Sequence, residues 1–300
     1  MRHLLVLKYI EKIAKTGSLR SAAEELGITP SALNRRVLGV EVELGVEIFE
    51  RHPLGLRPNI AGEILLKYIR DQTADMERVK SRIADLSGMR AGHINIATTH
   101  EVASSFLPKL IQRHIEEFPF VTFAVNIYPR GEAEASLHDN SNDIAIIFEP
   151  IRLKELQVFY SGAQKLFCIM AENHPLAKKK ILKIYDCANY PLMLPSQTEG
   201  IRQILDNLAE MVRIILKPSL ESNSLELLQE MSKSSNLLSF IPAISLGKDL
   251  QKNGLIAVPL DTKGINLGVL VAAHLKSRAL PVASARFLEV VNKELELLFD

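Results

Sequence analysis

The stretch SLRSAAEELGITPSALNRRV, residues 18–37, holds two short helical patterns joined at a glycine. Ser18 is a good N-cap, because its hydroxyl can accept from the open N–H groups of a first helical turn. Leu19, Ala22, Ala23 and Leu26 follow as one apolar stripe. The small Ala22 and Ala23 let another helix approach closely. Gly27 closes this helix, Ile28 fills the turn, Thr29 caps the next helix, and Pro30 suits its first position. Leu33, Val37, Val40 and Leu44 then recur at steps of four, three and four, which predicts a buried face. Upstream, Leu4, Leu5, Leu7, Tyr9, Ile10 and Ile13 form a further face that ends at Gly17. Helix, tight glycine turn, helix is the helix-turn-helix pattern. In it, the start of the second helix enters the DNA major groove. Ser31, Asn34 and Arg35 point away from Leu33 and Val37. Asn pairs with adenine and Arg with guanine, each good bidentate contact giving about 1–3 kcal/mol of discrimination. Arg36 suits phosphates.

Next comes LGVEIFERHPLGLRPNIAGE, residues 44–63. VEIFER reads as a strand, HPLG as a turn, and LRPN leads into a new helix at Asn59. Arg51, His52 and Arg57 make this turn a basic wing. Arg51 and Arg57 are candidates for phosphates or the minor groove, while His52 reads as solvated loop charge.

The bulk numbers narrow the class. Three hundred residues suffice for two or three domains with real cores. The chain is 47% hydrophobic and 24% charged, as in ordinary globular proteins. No apolar run approaches the roughly 18 residues of a membrane span. The opening MRHLLVLKYIEKIAKTG has no apolar core or cleavage site of a signal peptide. Only Cys168 and Cys187 occur, far from CxxC spacing, so no disulfide framework or zinc site is expected. A cytoplasmic protein without membrane association fits. The net charge is +1; residues 1–90 hold 15 Lys+Arg and 12 Asp+Glu, and the rest hold 21 and 23. A nucleic-acid face is therefore a local patch.

The segment AAEELGITPSALNRRVLGVEVELGVEIFERHPLGLRPNIAGE resembles the winged helix-turn-helix of LysR-type transcriptional regulators. The shared pattern is the apolar-Ala-Ala helix, the LG turn, the E-x-x-LG-x-x-(I/L)-F-x-R step and the N/T-x-AG helix entry. The resemblance extends over essentially the whole chain. One departure stands out. The family usually begins its recognition helix Ser-Gln-Pro-Ala, and here Thr29-Pro30-Ser31-Ala32 occupies that place. Pro30 replaces the Gln that often reads bases, and Asn34 stands where relatives usually carry Ser. The candidate DNA-binding set is Ser18, Thr29, Pro30, Ser31, Asn34, Arg35, Arg36, Arg51 and Arg57.

From Ala61 to Leu86 there is no proline, and Gly62 is the only glycine. Positions 65, 69, 72, 76, 79, 83 and 86 read Leu, Ile, Gln, Met, Val, Ile, Leu, a heptad seam with one polar member. The bland reading is a helix packed on its own domain; the resemblance implies a dimerisation helix. A dimer, or a dimer of dimers, would read two half-sites of an interrupted palindrome about one helical turn, or a multiple, apart. Residues 88–92 read as a hinge.

Beyond the hinge, HINIATT, FPFVTFAVNIY and DIAIIF alternate with helical faces, which predicts a parallel sheet in an α/β fold. Later strands are expected at KLFCIMA, YPLMLP, LLSFIP, LIAVPL and GVLVAA, and helices at 199–213, 223–233, 242–253 and 281–299. The resemblance implies an effector domain similar to periplasmic solute-binding proteins, in which two α/β subdomains hold a small molecule between them. The expected organisation is a winged domain at 1–60, a linker helix at 61–87, the hinge, and an effector domain at 93–300. Its first subdomain covers about 93–162 and 268–300, and its second about 163–267.

Ligands of open α/β sheets bind beyond the carboxyl ends of the strands. That rule selects Thr98, Thr99, His100, Glu101, Tyr128, Arg130, Phe148, Glu149, Ser196 and Gln197. The resemblance adds backbone amides and a hydroxyl near Thr99, an anion site at a helix start. Arg130 or Arg202 could pair with a carboxylate, whereas Glu101 and Glu149 favour a cationic or hydroxyl-rich ligand. Ser234, Ser235 and Asn236 replace glycines usual in relatives, so the pocket shape can differ.

Catalytic signatures are absent: no G-x-S-x-G, HExxH, G-x-x-x-x-G-K-S/T or G-x-G-x-x-G occurs in context. No pair of histidines has metal-ligand spacing, and no cofactor or catalytic residue is expected. The leading reading is a ligand-responsive transcription regulator that also contacts RNA polymerase. The alternatives are an architectural DNA binder whose α/β part only oligomerises, and an enzyme fused to a DNA-binding module.

Overall fold

Gly27 turns the chain sharply between two helices because it adopts the left-handed φ of +65° that side chains disfavour. The computed structural model describes residues 2–53, 55–86, 90–151, 153–233, 236–247, 249–265 and 267–299. It divides into two compact units, Met1–Glu77 and Arg78–Asp300.

The first unit contains α1 (Arg2–Thr16), α2 (Leu19–Glu25), α3 (Pro30–Leu44), β1 (Phe49–His52), β2 (Gly55–Pro58) and the start of α4 (Ile60–Leu86). Ser18 Oγ accepts from Ser21 N at 3.3 Å and Thr29 Oγ1 accepts from Ala32 N at 3.3 Å, so both expected caps form. Tyr9, Ile10 and Ile13 pack with Ala22, Ala23, Leu33 and Val37 into one core, which Ile48, Leu66 and Ile69 complete. Leu44 is half exposed, and Ile48 takes a core position instead, because the chain reverses at Gly45. The hairpin pairs Phe49 with Pro58 and His52 with Gly55, so the strand begins three residues later than VEIFER suggests. Ile48 is turned into the core, and its N–H donates to Glu41 Oε1 at 2.9 Å. A Cβ on Gly55 would stand 2.4 Å from Gly17 O, and Leu56 N donates to that same oxygen at 2.7 Å. The wing is thereby pinned to the α1–α2 turn. Asn59 caps α4, accepting from Gly62 N at 2.9 Å and donating to Glu47 O at 2.8 Å.

The expected seam on α4 divides into a covered and an exposed part. Leu65 and Ile69 face the winged core, with Ile69 fully buried. Among the described residues of α4, Ile60, Ile64, Tyr68, Val79 and Ile83 are the exposed large apolar ones, the last two at 49% and 61%. The winged core ends at Ile69, so the later turns of the helix carry the stripe without cover from it. Ser87, at the end of the expected linker helix, and Gly88 and Met89 of the expected hinge lie outside the described residues.

In the second unit, the first lobe is formed by β3 (Gly92–Thr98), α5 (His100–Ala103), α6 (Phe106–Glu117), β4 (Val121–Ile127), α7 (Glu132–His138), β5 (Ile144–Phe148) and β6 (Leu156–Gln164). The second holds β7 (Leu166–Ala171), α8 (Ile184–Cys187), β8 (Leu192–Pro195), α9 (Gly200–Met211), β9 (Pro218–Ser222), α10 (Leu225–Met231), β10 (Ser239–Pro242), α11 (Asp249–Lys252) and β11 (Leu255–Pro259). The chain then returns to the first lobe through β12 (Gly268–Leu275) and α12 (Val282–Phe299).

The first sheet has the order β4-β3-β5-β12-β6. β3 is parallel to β4 and β5, as expected, but β12 is antiparallel to β5 and β6. The sheet is mixed because β12 re-enters from the second lobe. Helices α6 and α12 cover one face, where Leu107, Leu110, Phe287 and Leu288 pack on Ile94, Ile96 and Ile146. Ala133 and Leu137 of α7 cover the other, with Ala97 and Ile147. In the second lobe, β7 lies between β10 and β11, and β8 pairs with β9. Single bridges at Leu182–Leu260 and Leu192–Leu238 tie its elements together. Strands β6 and β9 have no counterpart in the sequence reading; their apolar residues are interleaved with Ser, Gln and Glu. The helix expected at 242–253 is a 3₁₀ turn (Ala243–Ser245) followed by the short α11, with Gly247 between them.

Candidate DNA-binding face and effector cleft

The start of α3 presents Thr29, Pro30, Ser31, Asn34, Arg35 and Arg36 to solvent. They share one side because Leu33 and Val37 are drawn into the core. Thr29 Oγ1 and Ser31 Oγ lie 3.2 Å apart. Arg36 is held from below: its Nη1 donates to Tyr9 Oη at 3.1 Å, and the guanidinium sits 5.1 Å from the Tyr9 ring centroid. A tethered Arg36 has less freedom to lose on meeting a phosphate. Asn34 and Arg35 are exposed. Ser18 is half-buried at its cap. Arg51 and Arg57 lie on β1 and β2, paired to Leu56 and Glu50, and both are exposed. The arrangement is a helix end with hydrogen-bonding side chains beside a two-stranded basic wing, the geometry of groove reading plus backbone contact.

In the second unit, the strand-end residues take several distinct positions. Thr98 is buried and donates to Ile146 O at 2.8 Å, while Thr99 Oγ1 accepts from Phe148 N at 3.3 Å. Both hydroxyls pin β3 to β5. Phe148 fills the core of the second lobe among Ile201, Ile204 and Leu194. Tyr128 Oη accepts from Asn142 Nδ2 at 3.0 Å. Glu149 has a left-handed φ of +56°, held by its N–H to Val269 O at 2.8 Å and its Oε1 accepting Val269 N at 2.7 Å. Such strained backbone persists where its surroundings over-determine it. Arg130 Nε donates to Glu149 O at 2.8 Å and its Nη1 to Gln203 Oε1 at 2.6 Å, so it joins the lobes. Gly200 is required beside them, since a Cβ there would stand 2.6 Å from Glu149 Cβ.

Arg202 is committed elsewhere. Its Nη1 donates to Glu221 Oε2 at 2.8 Å, and its Nε donates to both oxygens of Asp206 at 3.1 Å. Burial works against its charge, but these carboxylates outweigh it and raise its pKa. It therefore braces α9 against β9. Ser196 N donates to Ser222 O at 3.0 Å, and Gln197 is exposed.

His100 and Glu101 open α5. Glu101 is only 4% exposed, and its Oε2 has no hydrogen-bond partner; neither has His100 Nδ1. Burial raises the Glu101 pKa, opposed by the Thr99 hydroxyl and its own backbone, and the carboxyl of Glu199 raises it further. Glu199 just precedes α9 in the other lobe, and burial raises its pKa too, with His100 and Thr198 opposing. The carboxyl of Glu199 thus adds to the rise at Glu101, and His100 opposes the rise at both. Glu199 escapes the strand-end rule because it follows Pro195 by four residues, at the cap of α9. Gln203, the partner of Arg130, sits one turn deeper in that helix and carries no sequence signal.

Away from this region, a shallow depression is lined by Arg90, His114, Phe118 and Arg286. It lies at the opposite end of β3. Among the described residues, no three His, Cys, Asp or Glu side chains stand together as a metal site, and no helix is long and apolar enough to cross a membrane.

Comparison with known proteins agrees with this architecture. Residues 4–63 match the family model described as bacterial regulatory helix-turn-helix protein, lysR family, and residues 87–296 match that of the LysR substrate binding domain. The HTH-type transcriptional activator CmpR of Synechocystis is 24% identical over 92% of this chain and 90% of its own. The regulator CbbR of Sinorhizobium medicae is 24% identical over 96% and 95%. Among solved structures, full-length CbnR complexed with its target DNA superposes with a TM-score of 0.68 at 18% identity, over 97% of this chain and 99% of that one. The effector-binding domain of QuiR with shikimate superposes with a TM-score of 0.58 at 20% identity, over 70% of this chain and 100% of that one. Matched in both its helix-turn-helix and the greater part of its length, the chain belongs to the LysR family of transcriptional regulators.

Proposed function

We propose that this regulator binds an interrupted palindrome as a dimer or tetramer and responds to a small molecule held between the two lobes of its second unit. It works as a switch on transcription in the cytoplasm, in contact with RNA polymerase, and not as an enzyme. The winged domain extends over 1–60, the linker helix over 61–87, the hinge over 88–92 and the effector domain over 93–300. Asn34, Arg35 and Ser31 read base edges; Arg36, Arg51 and Arg57 hold phosphates. Ser18 and Thr29 act through the caps that set the helix starts. DNA-bound CbnR and shikimate-bound QuiR support this reading by analogy of fold. The observation that carries it is the α3 face: its inward side sets Leu33 and Val37 in the core, while its exposed turn holds Ser31, Asn34, Arg35 and Arg36. In the cleft, His100, Glu101 and Glu199 contact the effector, and the clamp of Arg130, Glu149 and Gln203 sets how the lobes meet. A ligand shifts the protein only if it binds one lobe arrangement more tightly.

The test is a nuclease footprint on DNA upstream of the protein's own gene, with and without a metabolite extract of the source cell. The expected result is a protected site that shortens or shifts when extract is added. A footprint indifferent to extract would remove effector control and leave DNA binding. No footprint, on this DNA or on sequences selected from a random pool, would overturn the reading.

A further inference from the structure

We propose that the depression at the amino end of β3 is a second ligand site, which takes a small carboxylate with an apolar body. Local hydrogen bonds build it. Phe118 N donates to His114 O at 2.8 Å and Val121 N donates to Phe118 O at 3.0 Å, so the end of α6 turns tightly into β4. Gly92 N donates to Phe120 O at 3.3 Å, which lays Arg90 and Ala91 along that turn. The first turn of α12 brings Val282 and Ala283 to the same space, and Arg286 follows one turn on. The space between them measures about 310 Å³ and is open to solvent.

The lining decides which chemistry fits. Phe118, Val121, Val282 and Ala283 give it apolar walls, against which an apolar body leaves water. Its charged members are Arg90 and Arg286, and no carboxylate lines it. The Arg90 guanidinium stands 5.4 Å from the Phe118 ring centroid and makes no ion pair among the described residues. A guanidinium presents paired N–H donors that match a carboxylate. The amino end of the 18-residue α12 lies here too, and its dipole favours negative charge. His114 is wedged among three aromatic rings and only 4% exposed, yet it lines the depression. Burial lowers its pKa, with Glu117 opposing, so at pH 7 it offers a neutral donor and acceptor while the arginines supply the charge. A cation meets two arginines there, and a wholly polar anion leaves the apolar walls wet. The site is separate from the cleft between the lobes. Parallel β3 and β4 put their carboxyl ends at the far side of the sheet, and seven residues of strand span about 20 Å.

The experiment is isothermal titration calorimetry of the full chain with sodium phenylacetate, sodium acetate and phenylethanol at equal ionic strength. Phenylacetate should bind, with acetate and the alcohol each at least about tenfold weaker, the weight of one buried apolar group or one charge-assisted hydrogen bond. The double variant Arg90→Gln with Arg286→Gln changes two exposed side chains and should lose at least about tenfold in affinity for phenylacetate. Val282→Trp keeps both charges, fills the space and should abolish binding. Circular dichroism checks that each variant is folded; if Val282→Trp is not, the arginine variant decides. Acetate binding as tightly as phenylacetate would reduce the site to a bare anion patch, and the alcohol binding as tightly would remove the charge recognition. Either result overturns the proposal. So does wild-type affinity in the folded arginine variant, which puts the ligand elsewhere, and so does no binding of phenylacetate at high millimolar concentration. The reading of the cleft as the effector site stands or falls separately, by the footprint with extract.

Discussion

At the scale of single residues, Asn34 and Arg35 occupy exposed positions that the core cannot use, because Leu33 and Val37 on either side of them face inward. Replacing either with Ala should cost about 1–3 kcal/mol of binding at the base it reads and leave other sequences nearly unaffected. Binding selections on randomised sites will show this as relaxed preference at one position. Equal loss on all sequences would make the side chain a phosphate contact. The Thr29-Pro30 start was legible because capping and N1 preference are local rules, and Thr29 Oγ1 does accept from Ala32 N. The tie of Arg36 to Tyr9 was not legible, because 27 residues separate the partners. Arg202 illustrates the same limit more sharply: its place near a strand end suggested a ligand contact, whereas Asp206 and Glu221 already claim its guanidinium.

At the scale of elements, α4 shows how one apolar pattern serves two purposes. Its first turns bury Leu66 and Ile69 in the winged core, and its later turns leave Val79 and Ile83 exposed. An exposed apolar stripe on a helix of 27 residues calls for a partner. The double change Val79→Asp with Ile83→Asp should therefore break the proposed dimer while the winged domain stays folded, by sedimentation and circular dichroism. Ile69→Asp should instead unfold the winged domain, since it leaves a charge in a sealed core. A dimer that survives the double change would refute this stripe as the interface. The expectation placed Leu65 and Ile69 in the dimer seam; heptad counting sees periodicity and cannot see which neighbour covers each turn.

At the scale of the whole molecule, stability should depend on pH through buried groups in the second unit. His114 packs against Phe118, Phe287 and Phe123, with ring centroids 4.7, 5.0 and 5.7 Å away, and burial lowers its pKa below the ordinary 6.5. His174 and His274 are lowered by burial as well. A lowered histidine pKa means that the unfolded chain binds the proton more readily, so stability is full above pH 6.5 and falls as pH drops through it. Glu101 and Glu199 act in the opposite sense. Their raised pKa values make the folded state hold protons longer, so stability falls as pH rises above the ordinary 4.5. Melting curves from pH 5 to 8 should show the acid limb, and His114→Leu should flatten it; an unchanged limb would assign it to other groups. The sequence by itself determined the helix-turn-helix, the wing, the long helix and the α/β character of the second unit, because caps, turns and periodicity are local and act within a few residues. Only the tertiary structure decided which strand runs antiparallel, which face of α4 is covered, and which arginines have carboxylates to hold. It also brought Arg130 and Gln203 together across 73 positions of chain. Those outcomes depend on charge and burial supplied by distant segments, and no local pattern encodes them.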